Sequence, residues 1–421
     1  MTVKVRILGG GKEVGRASVL VEYDGKTLLL DYGVSFDEND IPQLPLHVNP
    51  QKLEGVIATH VHLDHIGAIP YVYISSSPPL YSTSITIKLS KYMLEDFIKL
   101  SGYYLPFEYN EVLNMLDSSY SIDYNEEINL GNFLVTLHDA GHIPGSSMAK
   151  VYVKNTVILY TGDINVIETR LTKPLDYNSL HDVQVLIMEA TYGSVEHPPR
   201  RLVEDLFIQA IKEVVENNGT VLVPAFSVGR SQEILSLLAE KTPNIDVYYD
   251  GMIRSISDVM LEEKKYIYKY HLLEKALRTF NRVRGWNDRR KAWKNPGVIV
   301  ASAGMLKGGP ALYYAKKLSD SERNAIFLVS YQAEGTPGRS IVATGKLAEE
   351  YNFIKARIEW FDFSSHAGRD GLLEIVKHCK NLEKLIIIHS DEETAKVFAK
   401  YVKENTGIEA YIANNNDVIE L

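Results

Sequence analysis

The chain has 421 residues, is 45% hydrophobic and 24% charged, and carries a formal net charge of −9. That is the composition of an ordinary folded protein, too long for a single core, so two domains are expected. One cysteine, Cys379, excludes an internal disulfide framework and fits a reducing compartment; with no apolar run long enough for a bilayer and no signal-peptide core, a cytoplasmic protein without membrane attachment is expected. The acidic balance speaks against a generally basic nucleic-acid binder, although an enzyme needs only a local basic groove.

In chain order, Val3–Leu8 reads as a strand leading into Gly9-Gly10-Gly11. The runs Ala17–Tyr23 and Thr27–Asp31 flank Asp24-Gly25, a pair suited to a tight hairpin turn. The glycine triplet is not a dinucleotide fingerprint, because it lacks the following helix and the acidic residue of a βαβ unit. Asp31 ends an apolar strand. Two readings stand for it: a turn aspartate, or a carboxylate that orients a metal-binding imidazole.

Gly55–Ala58 reads as a buried strand that delivers Thr59-His60-Val61-His62-Leu63-Asp64-His65, and Ile66–Pro70 reads as the entry to a helix. One histidine in such a loop would be an ordinary polar residue. Three imidazoles and a carboxylate at a strand-to-helix junction instead suit a divalent ion such as zinc. His60 and His62 can face one ion, while Asp64 and His65 turn towards a second. Helices are expected at about 84–102 and 108–116, and strands within 126–139. His142, in a Gly- and Pro-rich turn, supplies the third imidazole that a first ion requires. The strands at 156–161 and 183–188 end in Gly162-Asp163 and in Glu189. Asp163 reads either as a turn or N-cap residue or as a carboxylate bridging two ions. Polar residues just past successive strand ends fit a layered α/β sheet with its site at one edge.

Further on, helices at 201–217, 230–240 and 252–264 alternate with strands at 220–224, 245–249, 297–302 and 325–330, the pattern of a parallel sheet. The stretch Arg282–Lys294 mixes cations with Trp286 and Trp293. It suits phosphate contacts and base stacking, or equally a solvated helix face with the indoles packed inward. Ser302 and Gly304, taken as opening a helix, and Ser227, Gly229 and Arg230 after the strand at 220–224 are candidates for holding substrate phosphates. Cys379 lies outside all these groups and reads as a buried structural thiol.

The order Asp31, His60-x-His62-x-Asp64-His65, His142, Asp163 resembles the metallo-β-lactamase superfamily. Glu189 in Glu-Ala-Thr-Tyr-Gly, His366 in Asp-Phe-Ser-Ser-His-Ala and His389 in Ile-Ile-Ile-His-Ser-Asp resemble motifs A, B and C of its β-CASP nucleases. Pro224–Glu233, Ala301–Leu306 and Ser330–Arg339 carry the resemblance over nearly the whole chain. It is nearest to archaeal relatives of the cleavage and polyadenylation specificity factor nuclease and to RNase J, in the short form without N-terminal KH domains. Motif C departs from the usual His-Gly-Glu by reading His389-Ser390-Asp391, which keeps the imidazole.

The resemblance implies an α/β fold: an αββα metallo-β-lactamase sandwich from residues 1–192 and 351–421, with an inserted β-CASP α/β domain at 193–350 and a return through Lys355–Phe361. It implies two zinc ions, the first on His60, His62 and His142, the second on Asp64, His65 and His389, with Asp163 between them and Asp31 behind. Asp64, Glu189 and His366 are the implied catalytic residues, His366 giving a proton to the leaving sugar oxygen and Glu189 pairing with it. The implied substrate is single-stranded RNA, because the DNA-acting branch carries a smaller apolar residue in place of His389. The implied assembly is a homodimer. Of the modes open to such an enzyme, 5′→3′ exoribonuclease action in RNA processing and decay is expected, with endonucleolytic cleavage as the alternative. A small-molecule hydrolase would need neither the inserted domain nor the Glu189–His366 pair, and a non-catalytic RNA-binding scaffold would be expected to have lost metal ligands.

Overall fold

The computed structural model describes residues 2–348 and 353–421. The chain forms two units: Met1–Glu168 with Lys173–Glu196 and Ser365–Leu421, and His197–Ser364 with Thr169–Thr172. The boundary expected at 350 lies outside the described residues.

The first unit holds two seven-stranded sheets. One runs Val418–Glu420, Lys4–Gly9, Ser18–Tyr23, Lys26–Leu30, Leu53–Ile57, Leu80–Ser82, Ser119–Ser121; the other runs Ala410–Ile412, Lys384–Ile388, Val185–Glu189, Thr156–Tyr160, Ser147–Val153, Phe133–Asp139, Glu127–Leu130. Side chains alternate across each strand. Val5, Ile7, Val19 and Leu28 of one sheet therefore meet Phe133, Val135, Val151 and Ile187 of the other in a shared core. The intervening positions Leu186, Met188, Leu385 and Ile387 face the opposite way. They pack on Leu372, Val376, Phe398 and Val402 of the helices Arg369–His378 and Glu392–Thr406. Burial on both faces explains why Val185–Met188 reads as a continuous apolar run. Each such side chain removed from water contributes about 1.5–3 kcal/mol. Helices Ser84–Ser101 and Tyr109–Asp117 pack together beside the other sheet, giving the αββα order. Asp24 and Gly25, both at positive φ, turn the expected hairpin.

The second unit is a six-stranded sheet in the order Asn281–Arg282, Val247–Asp250, Gly297–Ala301, Thr220–Pro224, Ala325–Leu328, Arg357–Trp360, and every pair is parallel. Val221, Val223, Val298 and Val300 pack on Phe207, Ile211, Ile234 and Leu235 on one face. Leu222, Ile299 and Ile326 pack on Ala311, Tyr314 and Leu318 on the other.

The segment Lys355–Phe361, expected to return to the first domain, is instead the edge of this sheet. Arg357–Trp360 pairs with Ala325–Leu328, and the aromatic rings that follow it hold it there. Phe361 and Phe363 stack edge-on against Phe207, with centroids 5.2 and 5.1 Å away. The helix expected to open at Ser302 begins at Gly309, after a turn.

Candidate metal centre

The histidine loop leaves the end of the strand Leu53–Ile57 and enters the short helix Leu63–Ile66, with His62 at its N-cap. The neighbouring chain pins it closely. Asp64 O accepts from Ala17 N at 2.8 Å, and a Cβ on Gly33 would lie 1.7 Å from that same oxygen. Only glycine fits at position 33, so the loop's backbone is fixed against its neighbour.

Two groups of ligand atoms result, one from His60, His62, His142 and Asp163, the other from Asp64, His65 and His389, each with atoms within 4.8 Å of one another; a third set, Asp163, Glu189 and His389, meets the same limit and shares a member with each. In the first, His62 Nδ1 lies 3.1 Å from His60 Nε2 and 3.2 Å from His142 Nε2. Asp163 Oδ2 completes it, 3.4 Å from His60 Nε2 and 3.6 Å from His142 Nε2. In the second, His389 Nε2 lies 3.4 Å from Asp64 Oδ2. Asp163 Oδ1 faces this group, 3.2 Å from His65 Nε2 and 3.6 Å from His389 Nδ1. The two oxygens of one carboxylate thus address the two groups separately.

The imidazole tautomers are set from behind. Asp31 accepts from Thr59 N at 2.7 Å, from Thr59 Oγ1 at 2.7 Å, from His65 Nδ1 at 2.7 Å and from Tyr160 OH at 2.9 Å. Having given its proton to Asp31, Thr59 Oγ1 accepts from His60 Nδ1 at 3.1 Å. His142 Nδ1 donates to Ser365 O at 2.9 Å. Three rings therefore keep Nδ1–H outward and present Nε2 inward, the arrangement a metal-binding histidine needs. Asp31 and His389 hold φ of 54° and 50°. Two non-glycine residues in that region at one site point to backbone strain accepted for placement.

Electrostatics separates the groups. Burial and the neighbouring imidazoles push His62 down to about 3, and burial also lowers His60 and His142, so these rings are neutral and keep their lone pairs. At His65 and His389 burial works the same way, but the carboxylate charges, led by Asp163, outweigh it and hold both up. The second group thus draws in positive charge. His65 Nε2, His389 Nε2 and Asp163 Oδ1 are buried without a hydrogen-bond partner. Buried polar atoms are nearly always paired, and a divalent cation would satisfy all three, so the residues fit zinc.

Beside the groups stands a second constellation. Glu189, buried at the end of the strand Val185–Glu189, accepts at Oε1 from His366 Nδ1 at 2.9 Å and from Ile164 N at 3.0 Å. His366 Nε2 points towards the first group, 3.9 Å from Asp163 Oδ2. Burial disfavours the His366 cation, but Glu189 and Asp163 outweigh it and push the ring up to about 9. In motif C, Asp391 caps the helix Glu392–Thr406 by accepting from Thr394 N at 2.9 Å, which accounts for aspartate there.

The other sequence candidates belong to the second unit. Gly229, Ser302 and Gly304 are buried. The Gly229 N–H is taken by Gln232 Oε1 at 2.9 Å, and Ser302 Oγ accepts from Met252 N at 3.3 Å. Ser227 and Arg230 are half-buried at the start of the helix Arg230–Lys241. In the basic stretch, Arg282 pairs with Asp258 through both guanidinium nitrogens at 2.7 Å, and Arg289 Nε pairs with Asp250 at 2.7 Å. Trp293 packs inward, whereas Trp286 is 65% exposed. Each of the two readings of this stretch thus describes part of it. Cys379 is buried, and burial pushes its thiol up to about 12.

Sequence reasoning missed Thr59, Tyr160, Ser365 and Thr191. Tyr160 had a usable signal: a tyrosine at an inward position of a core strand needs a partner for its hydroxyl. Thr59 opens the histidine loop, and Thr191, whose Oγ1 lies 2.5 Å from Glu189 Oε2, stands inside Glu-Ala-Thr-Tyr-Gly. The Ser365 carbonyl carries no side-chain signal.

Neutral imidazoles converging on a shared carboxylate, beside a carboxylate–imidazole pair, define a metal-dependent hydrolase. Residues 11–249 match the metallo-beta-lactamase superfamily, 231–341 the Beta-Casp domain, and 354–413 the Zn-dependent metallo-hydrolase RNA specificity domain. The chain is 50% identical to "RNase aCSPSF2" of Saccharolobus solfataricus, over 100% of this chain and 86% of that protein. It is 30% identical to "Transcription termination factor FttA" of Thermococcus kodakarensis, over 100% of this chain and 71% of that protein. It is 29% identical to an "RNase J-like protein" of Methanocaldococcus jannaschii, over 100% of both. The chain belongs to the β-CASP ribonucleases of the metallo-β-lactamase superfamily, the zinc-dependent, RNA-binding enzymes of the cleavage and polyadenylation specificity factor type. Among the described residues no helix is long and apolar enough to cross a membrane.

Proposed function

We propose that this ribonuclease is a dinuclear zinc enzyme that degrades single-stranded RNA from the 5′ end. The observation that carries the dinuclear reading is Asp163, whose Oδ1 and Oδ2 face different ligand groups at 3.2 and 3.4 Å. In this reading His60, His62 and His142 would hold one ion and Asp64, His65 and His389 the other, with Asp31 orienting His65. Zinc bound there would supply Lewis acidity towards water and the phosphoryl oxygens.

The chain's own residues do the rest. Asp64, with its side chain 34% exposed beside His389, accepts a hydrogen from the attacking water and aligns it. His366 gives the proton on Nε2 to the departing sugar oxygen, as an imidazolium suited to general acid work. Glu189 anchors the opposite nitrogen at 2.9 Å, so the proton to be moved sits on the side facing the ligand groups. Of the candidates for the substrate backbone, Ser227 and Arg230, half-buried, are the residues we assign to it; Gly229, Ser302 and Gly304 are buried, and the Gly229 N–H is already taken by Gln232. Full-length likeness to an RNase J-like protein supports the exonucleolytic mode. Likeness to a transcription termination factor favours the alternative, internal cleavage of a transcript. A homodimer is also part of the proposal, supported by family membership; a monomer mass by light scattering would remove it.

The test uses zinc-loaded protein and RNA labelled along its length, carrying a 5′-monophosphate or a 5′-triphosphate. Mononucleotide release from the monophosphate form is expected, and internal fragments would sink the exonuclease. Asp64→Ala and His366→Ala should lose turnover by about 100-fold or more while still binding RNA. Full activity in either would remove its assigned role.

A further inference from the structure

The Glu189–His366 pair and His389 are joined by one hydroxyl. Thr191, just past the strand Val185–Glu189, places Oγ1 2.5 Å from Glu189 Oε2, 3.2 Å from His389 Nδ1 and 3.1 Å from the His389 carbonyl oxygen. Its backbone N–H donates to the same Glu189 Oε2 at 3.2 Å. The position is fixed from both sides. Tyr192 bridges to Gly368, and a Cβ on Gly193 would lie 2.7 Å from Phe398 Cβ, so this backbone cannot retreat.

A hydroxyl has one proton to give. The 2.5 Å separation is that of an O–H···O⁻ bond, the shortest and strongest of the three contacts, so the proton goes to Glu189. Oγ1 then meets His389 Nδ1 as an acceptor. That requires Nδ1 to carry the ring hydrogen and leaves Nε2 with its lone pair. Nε2 is the atom 3.4 Å from Asp64 Oδ2 that is buried without a hydrogen-bond partner.

We infer that Thr191 is a positioning residue whose hydroxyl fixes the tautomer of His389 and the orientation of Glu189 together, tying the second metal-ligand group to the proton-donating pair. The connection runs from His366 Nδ1–H to Glu189 Oε1, from Thr191 Oγ1–H to Glu189 Oε2, and from His389 Nδ1–H to Thr191 Oγ1. Thr59 does the corresponding work for His60 behind the first group, taking its proton to Asp31 and its acceptor contact to the ring. The inference rests on the dinuclear reading above.

Its test is zinc retention, which does not depend on turnover. Zinc-loaded wild type, Thr191→Val and Thr191→Ser are titrated with a colorimetric chelator of known affinity. Thr191→Val is nearly isosteric and lacks the hydroxyl. It should hold one of the two ions, the one on the His389 group, about 10- to 100-fold less tightly, the usual cost of losing a partner behind a ligand. Thr191→Ser should restore wild-type retention. Wild-type retention in Thr191→Val overturns the inference, and so does Thr191→Ser failing as badly as Thr191→Val, since the methyl group's packing would then be responsible. If Thr191→Val is unfolded by circular dichroism, Thr191→Ala is read in the same way. A wild type that binds one zinc removes the dinuclear reading and this inference together. A two-zinc wild type beside an unaffected Thr191→Val removes this inference alone.

Discussion

Both units bury charge, but the first leaves part of it without a partner. In the second unit Asp250, fully buried at the end of the strand Val247–Asp250, accepts from Arg289 Nε at 2.7 Å, Tyr314 OH at 3.0 Å and Gly251 N at 2.7 Å. Arg170 likewise reaches Glu204 at 2.6 Å and Glu240, while Arg200 reaches Glu233 at 3.0 Å. These clusters pair cation with anion inside the protein. In the first unit the corresponding edge pairs His366 with Glu189 and His65 with Asp31, yet His65 Nε2, His389 Nε2 and Asp163 Oδ1 remain buried without a hydrogen-bond partner. A buried charge that is already paired holds structure together. One that the chain leaves open is a place for something the chain does not itself supply.

The sharpest way to break this contrast is to remove the residue common to both ligand groups. Asp163→Ala should lose zinc from both positions and with it all measurable RNA cleavage. Its fold should stay intact, because the core between the two sheets is untouched. Zinc content by atomic emission, read beside circular dichroism, decides the matter. Two ions retained in Asp163→Ala would show that the open edge is organised without it.

The second unit should respond in the other sense. Asp250→Ala leaves the buried Tyr314 hydroxyl and the Arg289 guanidinium without their acceptor. Such unsatisfied groups cost about 1–3 kcal/mol each. Denaturant unfolding should show that loss while zinc content stays at the wild-type level. Loss of zinc with no loss of stability would reverse the assignment of structural and chemical roles.

How much of this was legible in the sequence follows from distance along the chain. His60, His62, Asp64 and His65 announce themselves because one loop presents them together, and Glu189 stands out as a carboxylate ending an apolar run. The residues behind them do not. Tyr160 reaches Asp31 only because antiparallel and parallel pairings place their strands in facing sheets, and the Ser365 carbonyl reaches His142 across a long separation in the chain. Likewise, Arg357–Trp360 carries no local mark of belonging to the second sheet. Its place is decided by Phe361 and Phe363 finding Phe207 and Phe327, a matter of tertiary packing. The resemblance to a known family supplied His366 and His389, which spacing alone could not.

The smallest expected effect concerns a carboxylate of the first unit outside both ligand groups. Asp139 ends the strand Phe133–Asp139, and its Oδ1 accepts from Gly141 N at 2.9 Å. Burial pushes its pKa up to about 6 from 3.8, with nearby Asp176 adding to the shift and the Gly141 N–H and the Lys173 cation opposing it. The folded state therefore binds this proton more tightly than the unfolded chain does. The resulting stabilisation is fully present below pH 3.8 and is lost as the pH rises through about 6, where the half-buried carboxyl must ionise. Asp139→Asn keeps an acceptor for Gly141 and carries no charge. At pH 7.5 it should melt about 2–4 °C above the wild type, as a gain on the order of 1 kcal/mol implies for a unit of this size. The gap should close towards pH 4, where the wild-type carboxyl is protonated as well. A gap of the same size at both pH values would trace the gain to packing. A less stable Asp139→Asn at pH 7.5 would mean that Asp139 is paired with a cation, as Asp250 is in the second unit.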